Sequence, residues 1–127
     1  MNKSVEVYLD RGVLHPGHPP IIAYGVMAVS ANKELKAGTI LQESNGEYSP
    51  CGSSGTPAGV LLDDVAAHTA SDGTVTAAIL KHGMAVESRL IDHSGSVDAT
   101  PNATLVNKLP GVGIFPCQAG WTSSNFC

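Results

Sequence analysis

A short proline-rich segment near the start of the chain restricts the fold more than any other feature. Three of its six residues are proline: His15, Pro16, Gly17, His18, Pro19 and Pro20. Proline fixes its own φ angle and lacks a backbone N–H donor, so this segment does not fit inside a helix or a sheet. We expect it to form a stiff tether. The chain of 127 residues then divides into an arm with its tether, residues 1–20, and one folded body, residues 21–127.

The arm before the tether has the alternating pattern of an extended strand. Apolar side chains alternate with polar or aromatic ones over its candidate contact residues, Ser4, Val5, Glu6, Val7, Tyr8, Leu9 and Asp10. A period of two is the signal of a β-strand. Because the tether separates this strand from the body, its pairing partner is not evident. Two alternatives stay open here: the strand folds back as an edge strand, or it pairs with another protein by strand addition.

The body is expected to be mainly β, because short apolar and β-branched runs alternate with Gly, Asn and Asp turns. Asn45-Gly46 predicts a tight hairpin, since both residues tolerate a positive φ. The Gly-rich residues 51–57 predict a loop, and His82-Gly83 is expected to separate two strands. Strands are predicted at residues 21–30, 39–42, 59–65, 74–80, 84–87 and 113–115.

One short helix is expected near the end of the body. Thr100 is a suitable N-cap and Pro101 suits the first helical position. Pro110-Gly111 is expected to end the helix. Its apolar face is predicted to contain Leu105, Val106 and Leu109.

Composition excludes several classes of protein. Charged residues make up 14% of the chain and aromatic residues 5%, which disfavours a helical bundle or coiled coil. A net charge of −4 with only 7 scattered Lys and Arg residues disfavours nucleic-acid binding. The longest apolar run, residues 21–29, is far shorter than the ~20 residues of a membrane helix. Charged residues near the start argue against a signal peptide. We therefore expect a chain made in the cytoplasm that binds neither nucleic acid nor membrane.

No group of residues in the sequence indicates catalysis or metal binding. His15 and His18 have a chelating spacing only on a helix or tight turn, and the prolines exclude a helix, so we expect a loop without a metal. Adjacent residues on a strand point to opposite faces, so Asp63 and Asp64 are expected to close a strand rather than act on one bond. Motifs of a nucleophile elbow and a phosphate loop are absent. We expect neither catalytic residues nor a cofactor.

The cysteine count argues against a disulfide framework. The chain has 3 cysteines, Cys51, Cys117 and Cys127, and no pair has the C-x-x-C spacing. Cys51 and Cys117 are expected to be buried or incidental thiols. Cys127, the last residue, is expected to be open to oxidation or cross-linking.

Four segments in the body carry a resemblance to a known family. They follow one another as Leu35-Lys36-Ala37-Gly38-Thr39-Ile40-Leu41, Gly46-Glu47-Tyr48-Ser49-Pro50, Ala58-Gly59-Val60-Leu61-Leu62-Asp63-Asp64-Val65 and Ala77-Ala78-Ile79-Leu80-Lys81-His82-Gly83. In this order they resemble the head decoration proteins of tailed bacteriophages, the family of the lambda head decoration protein. Residues 109–115, with Gly113-Ile114, look like the late part of that domain. The resemblance covers most of residues 26–117.

The resemblance implies a compact β-tulip or β-clip fold and a homotrimer without enzymatic activity or cofactor. Such trimers sit on the outside of the expanded head, where they cement neighbouring copies of the major capsid protein. In lambda-like members the N-terminal arm adds a strand to a capsid-protein sheet. The expected contact is therefore the arm, residues 4–10, held by the tether residues Pro16, Gly17, Pro19 and Pro20. The His- and Pro-rich tether and the tail, residues 118–127, depart from the family pattern.

Two alternatives come from other classes of protein. A small β-rich module could recognise carbohydrate or a host surface, but only Trp121 and a few Tyr and Phe residues offer aromatic platforms. A nucleotide hydrolase on a similar trimeric scaffold would need phosphate-gripping loops and an acidic metal cluster, and the sequence shows neither.

Overall fold

The structure is a computed structural model that describes residues 20–28, 34–66, 74–94 and 104–117. The predicted mainly β body with one short helix is confirmed. Its strands are β1 (Ile21–Ala28), β2 (Ile40–Ser44), β3 (Glu47–Pro50), β4 (Gly59–Leu61), β5 (Thr74–Val86) and β6 (Ile114–Cys117). A 3₁₀ helix spans Val106–Val112, and a single 3₁₀ turn spans Glu87–Arg89.

Five of these strands close into a small barrel. They follow the order β1-β3-β2-β4-β5, and β5 pairs back to β1. The β1–β3 pair is parallel, and the other pairs of the ring are antiparallel. The long strand β5 continues beyond the ring, where residues 83–86 pair in parallel with β6. Closure of the ring therefore depends on β5, which contacts strands from both ends of the body.

The barrel interior is narrow, and two glycines make room for one isoleucine. A Cβ atom on Gly25 would lie 2.6 Å from Ile79 Cδ1, and one on Gly59 would lie 2.5 Å from Ile79 Cγ2. Small barrels fill their interior by placing small residues opposite large ones. The buried residues of this inner core are Met27, Leu35, Leu41, Leu61, Val65, Ala77 and Ile79.

A second core covers one outer face of the barrel. Along β4, Leu61 belongs to the inner core and its neighbour Val60 belongs to the outer core, so this strand is buried on both faces. The outer core packs between the barrel, the 3₁₀ helix and β6. Its buried residues are Ile40, Cys51, Val60, Leu62, Ala78, Leu80, Ala85, Leu90, Leu105, Val106, Leu109 and Ile114.

The short helix differs from the prediction in its type and its end. Leu105, Val106 and Leu109 are buried together, as expected. The helix is of the 3₁₀ type, however, and it contains Pro110 instead of ending there. Gly113 ends it in the left-handed conformation with φ of 88°, which a residue without a Cβ adopts without strain. Residues 100–101 lie outside the described residues, but the helix begins at Val106 with Leu105 as its N-cap, so the predicted start at Pro101 is five residues too early.

The residues at the turns explain why one strand boundary was predicted correctly and another was not. Asn45 and Gly46 both have positive φ, 53° and 83°, and the predicted β2–β3 hairpin is confirmed. The expected break at His82-Gly83 is wrong, because β5 runs through it. Gly83 has φ of 139°, and its N–H donates to the Gly113 carbonyl oxygen at 3.0 Å. This glycine lets β5 change partners without ending the strand.

Candidate functional site

The arm joins the body at Pro20, which lies against Gly83. A Cβ atom on Gly83 would lie 3.2 Å from the Pro20 Cα and 3.4 Å from its Cβ. The missing side chain of the glycine therefore lets the end of the tether lie where β5 leaves the barrel. Residues 1–19 precede this point in the chain and lie outside the described residues. Of the predicted contact and tether residues, only Pro20 is among the described ones.

Exposed apolar side chains lie immediately beside this junction. Ile21 is 59% exposed and Phe115 is 40% exposed. His82 is half-buried between them, and we call Ile21, His82 and Phe115 the root strip. Ile21 is opposite His82 on antiparallel strands, so their side chains share a face. The His82 and Phe115 rings meet edge to face with their centroids 6.2 Å apart. The strip thus joins β1, β5 and β6 into one surface.

Gly113 holds the histidine ring of the root strip close to the backbone. A Cβ atom on Gly113 would lie 2.6 Å from His82 Nδ1. Gly113 also has a positive φ, so a side chain there would strain the backbone as well as displace the ring. The arrangement of the root strip therefore depends on two glycines: Gly83 lies against Pro20, and Gly113 lies against the His82 ring.

A second exposed apolar pair lies elsewhere on β1. Tyr24 is 38% exposed and Val26 is 40% exposed. They lie opposite Ala78 and Thr76 on β5. The alternation of β1 sends Met27 into the barrel and these two side chains to the outer face. This pair is separate from the root strip, and a few exposed apolar side chains are ordinary on a protein surface.

The two adjacent carboxylates hold the backbone together. Asp63 Oδ2 accepts a hydrogen bond from the Ala78 N–H at 3.0 Å, and Asp64 Oδ1 accepts one from the Ala37 N–H at 2.8 Å. Both residues lie just beyond the end of β4, and their carboxylates accept hydrogen bonds from two different segments. Strand β4 itself ends at Leu61, earlier than predicted.

Two lysines hold loops against the barrel and the 3₁₀ helix. Lys81 Nζ donates to the Tyr48 hydroxyl oxygen at 2.8 Å and to the Ala58 carbonyl oxygen at 3.0 Å. Lys108 Nζ donates to the carbonyl oxygens of Ser53 and Gly55 at 3.0 and 2.8 Å. The loop predicted at residues 51–57 is therefore clamped to the helix that carries Lys108.

The cysteines divide into a free thiol and a disulfide. Cys51 is fully buried with a free thiol, as expected. Burial raises the pKa of this thiol above its ordinary value of 9.0, and the charge of Lys108 opposes that shift. Cys117 is also buried, but it is disulfide-bonded, so the prediction of a thiol there is wrong. Pairing depends on proximity in space, which the spacing of cysteines along a chain does not reveal.

Metal ligands and unpaired buried polar atoms are not grouped into a site within the described residues. In these ranges no group of three or more His, Cys, Asp or Glu side chains is placed to hold a metal ion. Every buried side-chain nitrogen and oxygen atom of the same ranges has a hydrogen-bond partner. Among the helices that the structure describes, none is both long and apolar enough to cross a membrane. His15 and His18 lie outside this part of the chain.

The root strip is the surface that sequence reasoning missed. Ile21 and Phe115 were each assigned to a predicted strand, and His82 to a break between strands. Periodicity does not show which apolar residues a barrel leaves uncovered, and the position of Ile21 directly after the tether was the only available signal.

Comparison with known proteins assigns no family: no family model matches the chain, and neither does any curated protein or solved structure.

Proposed function

We propose that this chain is a non-enzymatic structural protein of a tailed-bacteriophage virion. It binds the outside of the expanded head as a homotrimer, contacts the major capsid protein and stabilises the shell. It is made in the host cytoplasm and acts on the outer surface of the capsid. The sequence resemblance suggests this role, and the described structure supports the part of it that concerns the arm.

The main structural support for the proposal is the point where the predicted arm meets the body. The chain enters the body at Pro20, beside the exposed side chains of Ile21 and Phe115. In the barrel, β2, β3 and β4 each pair on both sides, which leaves few edges where the arm could pair within its own body. An alternating strand attached at this point is suited to join a sheet of another protein.

The expected trimer, the net charge and the charged residues of the arm all suit binding to the outside of a shell. A trimer presents three arms at once, so weak individual contacts gain from effective concentration. The net charge of −4 suits a protein that acts outside the shell and does not grip DNA. Glu6 and Asp10 on the arm would keep an unpaired strand soluble before it binds.

Co-sedimentation with phage heads tests the proposal. The full-length chain should sediment with expanded heads and stay in the supernatant with unexpanded ones. A chain that lacks residues 1–19 should stay in the supernatant with both, while light scattering and circular dichroism show a folded trimer. Binding of the full-length chain to neither form of head would overturn the proposal, and binding by the truncated chain would refute the role of the arm.

Single substitutions test strand addition without removing the arm. Val7→Pro removes a backbone donor from the middle of the arm strand and should abolish binding to expanded heads. Val7→Thr is the matched control, because threonine is also β-branched and keeps its N–H, so binding should be retained. Equal binding by the two variants would contradict pairing through the backbone.

A further inference from the structure

We propose that the root strip is a second contact with the same capsid-protein subunit that receives the arm. The inference rests on the proposed function and extends it from the arm to the folded body. The partner surface is an apolar, uncharged patch on that subunit. The strip and the arm together would hold each protomer at two points.

The exposed apolar area of the strip is the first support for this contact. Ile21 and Phe115 are two of the four exposed large hydrophobic residues of the described chain, and His82 joins them into one surface. Apolar side chains that are grouped on a surface, unlike single ones scattered over it, are typical of a contact with another molecule. Within the strip, His82 is the sole ionisable side chain, so the partner needs no opposing charge.

The strip lies where the predicted arm begins, so the protein that the arm binds is also the protein expected to contact the strip. The chain outside the structure begins directly before Pro20, which lies against Gly83 in the strand that also carries His82. Ten residue steps separate Asp10, at the end of the arm strand, from Pro20. A fully extended chain spans at most about 3.3–3.6 Å per residue, so this distance is at most about 35 Å. A strand that pairs with a shell subunit therefore keeps the strip within about 35 Å of the pairing site, close enough to reach the same subunit.

The linkage between the two contacts makes the second one effective. Once the arm has bound, the strip meets its site as an intramolecular partner, with an effective concentration set by a short, proline-stiffened connection. Phe115 exposes 40% of its surface, which is about 80 Å² for an aromatic residue. At about 25 cal/mol per Å², loss of that burial weakens binding on the order of tenfold or more.

Substitutions in the strip test the inference on the full-length chain. The double variant Ile21→Thr with Phe115→Thr places threonine, which favours strands, at both positions while it removes the apolar area. Its affinity for expanded heads should fall about tenfold or more, with the trimer mass and the circular dichroism spectrum of the folded chain unchanged. Val26→Thr is the matched control, because Val26 is also 40% exposed but lies on the outer face of β1 away from the strip. Its affinity for heads should equal that of the parent.

The other possible results contradict either the strip contact or the proposed function. Parental affinity of the strip variant, with the chain lacking residues 1–19 unable to bind, would overturn the strip contact and leave the arm intact. A smaller oligomer for the strip variant would place the strip between copies of this chain and overturn the inference. An equal loss of affinity in Val26→Thr would also overturn it. Failure of the parent to bind heads would instead overturn the proposed function.

Discussion

Replacement of Gly59 by alanine tests whether the barrel interior is as narrow as the structure shows. A Cβ atom there would lie 2.5 Å from Ile79 Cγ2 and 3.1 Å from the Leu80 carbonyl oxygen. The Cγ2 atom moves only with rotation of a stiff β-branched side chain, so the contact is hard to relieve. Overpacking of a core costs about 1–3 kcal/mol, and the lower chain entropy of alanine offsets about 0.4–1 kcal/mol. We expect a net loss of about 1–2 kcal/mol.

The measurement is thermal unfolding followed by circular dichroism at one fixed protein concentration, because an oligomer unfolds in a concentration-dependent way. For a body of this size, the expected loss lowers the midpoint temperature by about 4–16 °C. Gly52→Ala is the control, since no atom lies within 4 Å of the added Cβ and its φ is not in the left-handed region. Its midpoint should stay the same or rise slightly.

A double-mutant cycle identifies the clash itself. Ile79→Ala removes Cγ2 and should cost about 2–5 kcal/mol alone, because it leaves a cavity in the barrel. Combined with Gly59→Ala, it should cost clearly less than the sum of the two single changes, since the added methyl group occupies part of that cavity. Strict additivity, or a neutral Gly59→Ala, would refute the packing described for the barrel interior.

Two further predictions concern the clamped loop and its buried thiol. Lys108→Met removes two hydrogen bonds to the carbonyls of Ser53 and Gly55, so it should cost about 1–3 kcal/mol of stability in thermal unfolding. Lys36→Met, on an exposed side chain, should leave the stability unchanged. Because burial raises the pKa of Cys51, the unfolded chain loses this proton first as pH rises, so stability should fall above the ordinary thiol pKa of 9.0. Cys51→Ser should flatten that part of the pH–stability curve, and an unchanged slope would contradict the assignment.

Local features of the chain were predicted well where a few neighbouring residues decide the structure. The hairpin at Asn45-Gly46 follows from two residues that accept positive φ, and both have it. The loop at residues 51–57 follows from its glycines, and the buried face of Leu105, Val106 and Leu109 follows from their spacing. The class of the body follows from the number of such short runs.

Features that depend on contacts between distant segments were missed or misplaced. His82-Gly83 resembles a break, yet β5 continues because Gly113, thirty positions beyond Gly83, accepts the glycine N–H. Pro110 resembles a helix end, yet the left-handed Gly113 ends the helix. Cys117 has no sequence signal for pairing, and it is disulfide-bonded.

A mainly β body and its tight turns follow from the sequence alone, because backbone preferences and side-chain alternation act over a few residues. Only the tertiary structure decided that five strands close into a ring, that Gly25 and Gly59 face Ile79, and that Ile21 and Phe115 stay exposed beside the arm root. Those outcomes depend on which strands pair and in which register. Pairing between strands far apart in the chain determines which apolar residues are buried and which remain exposed.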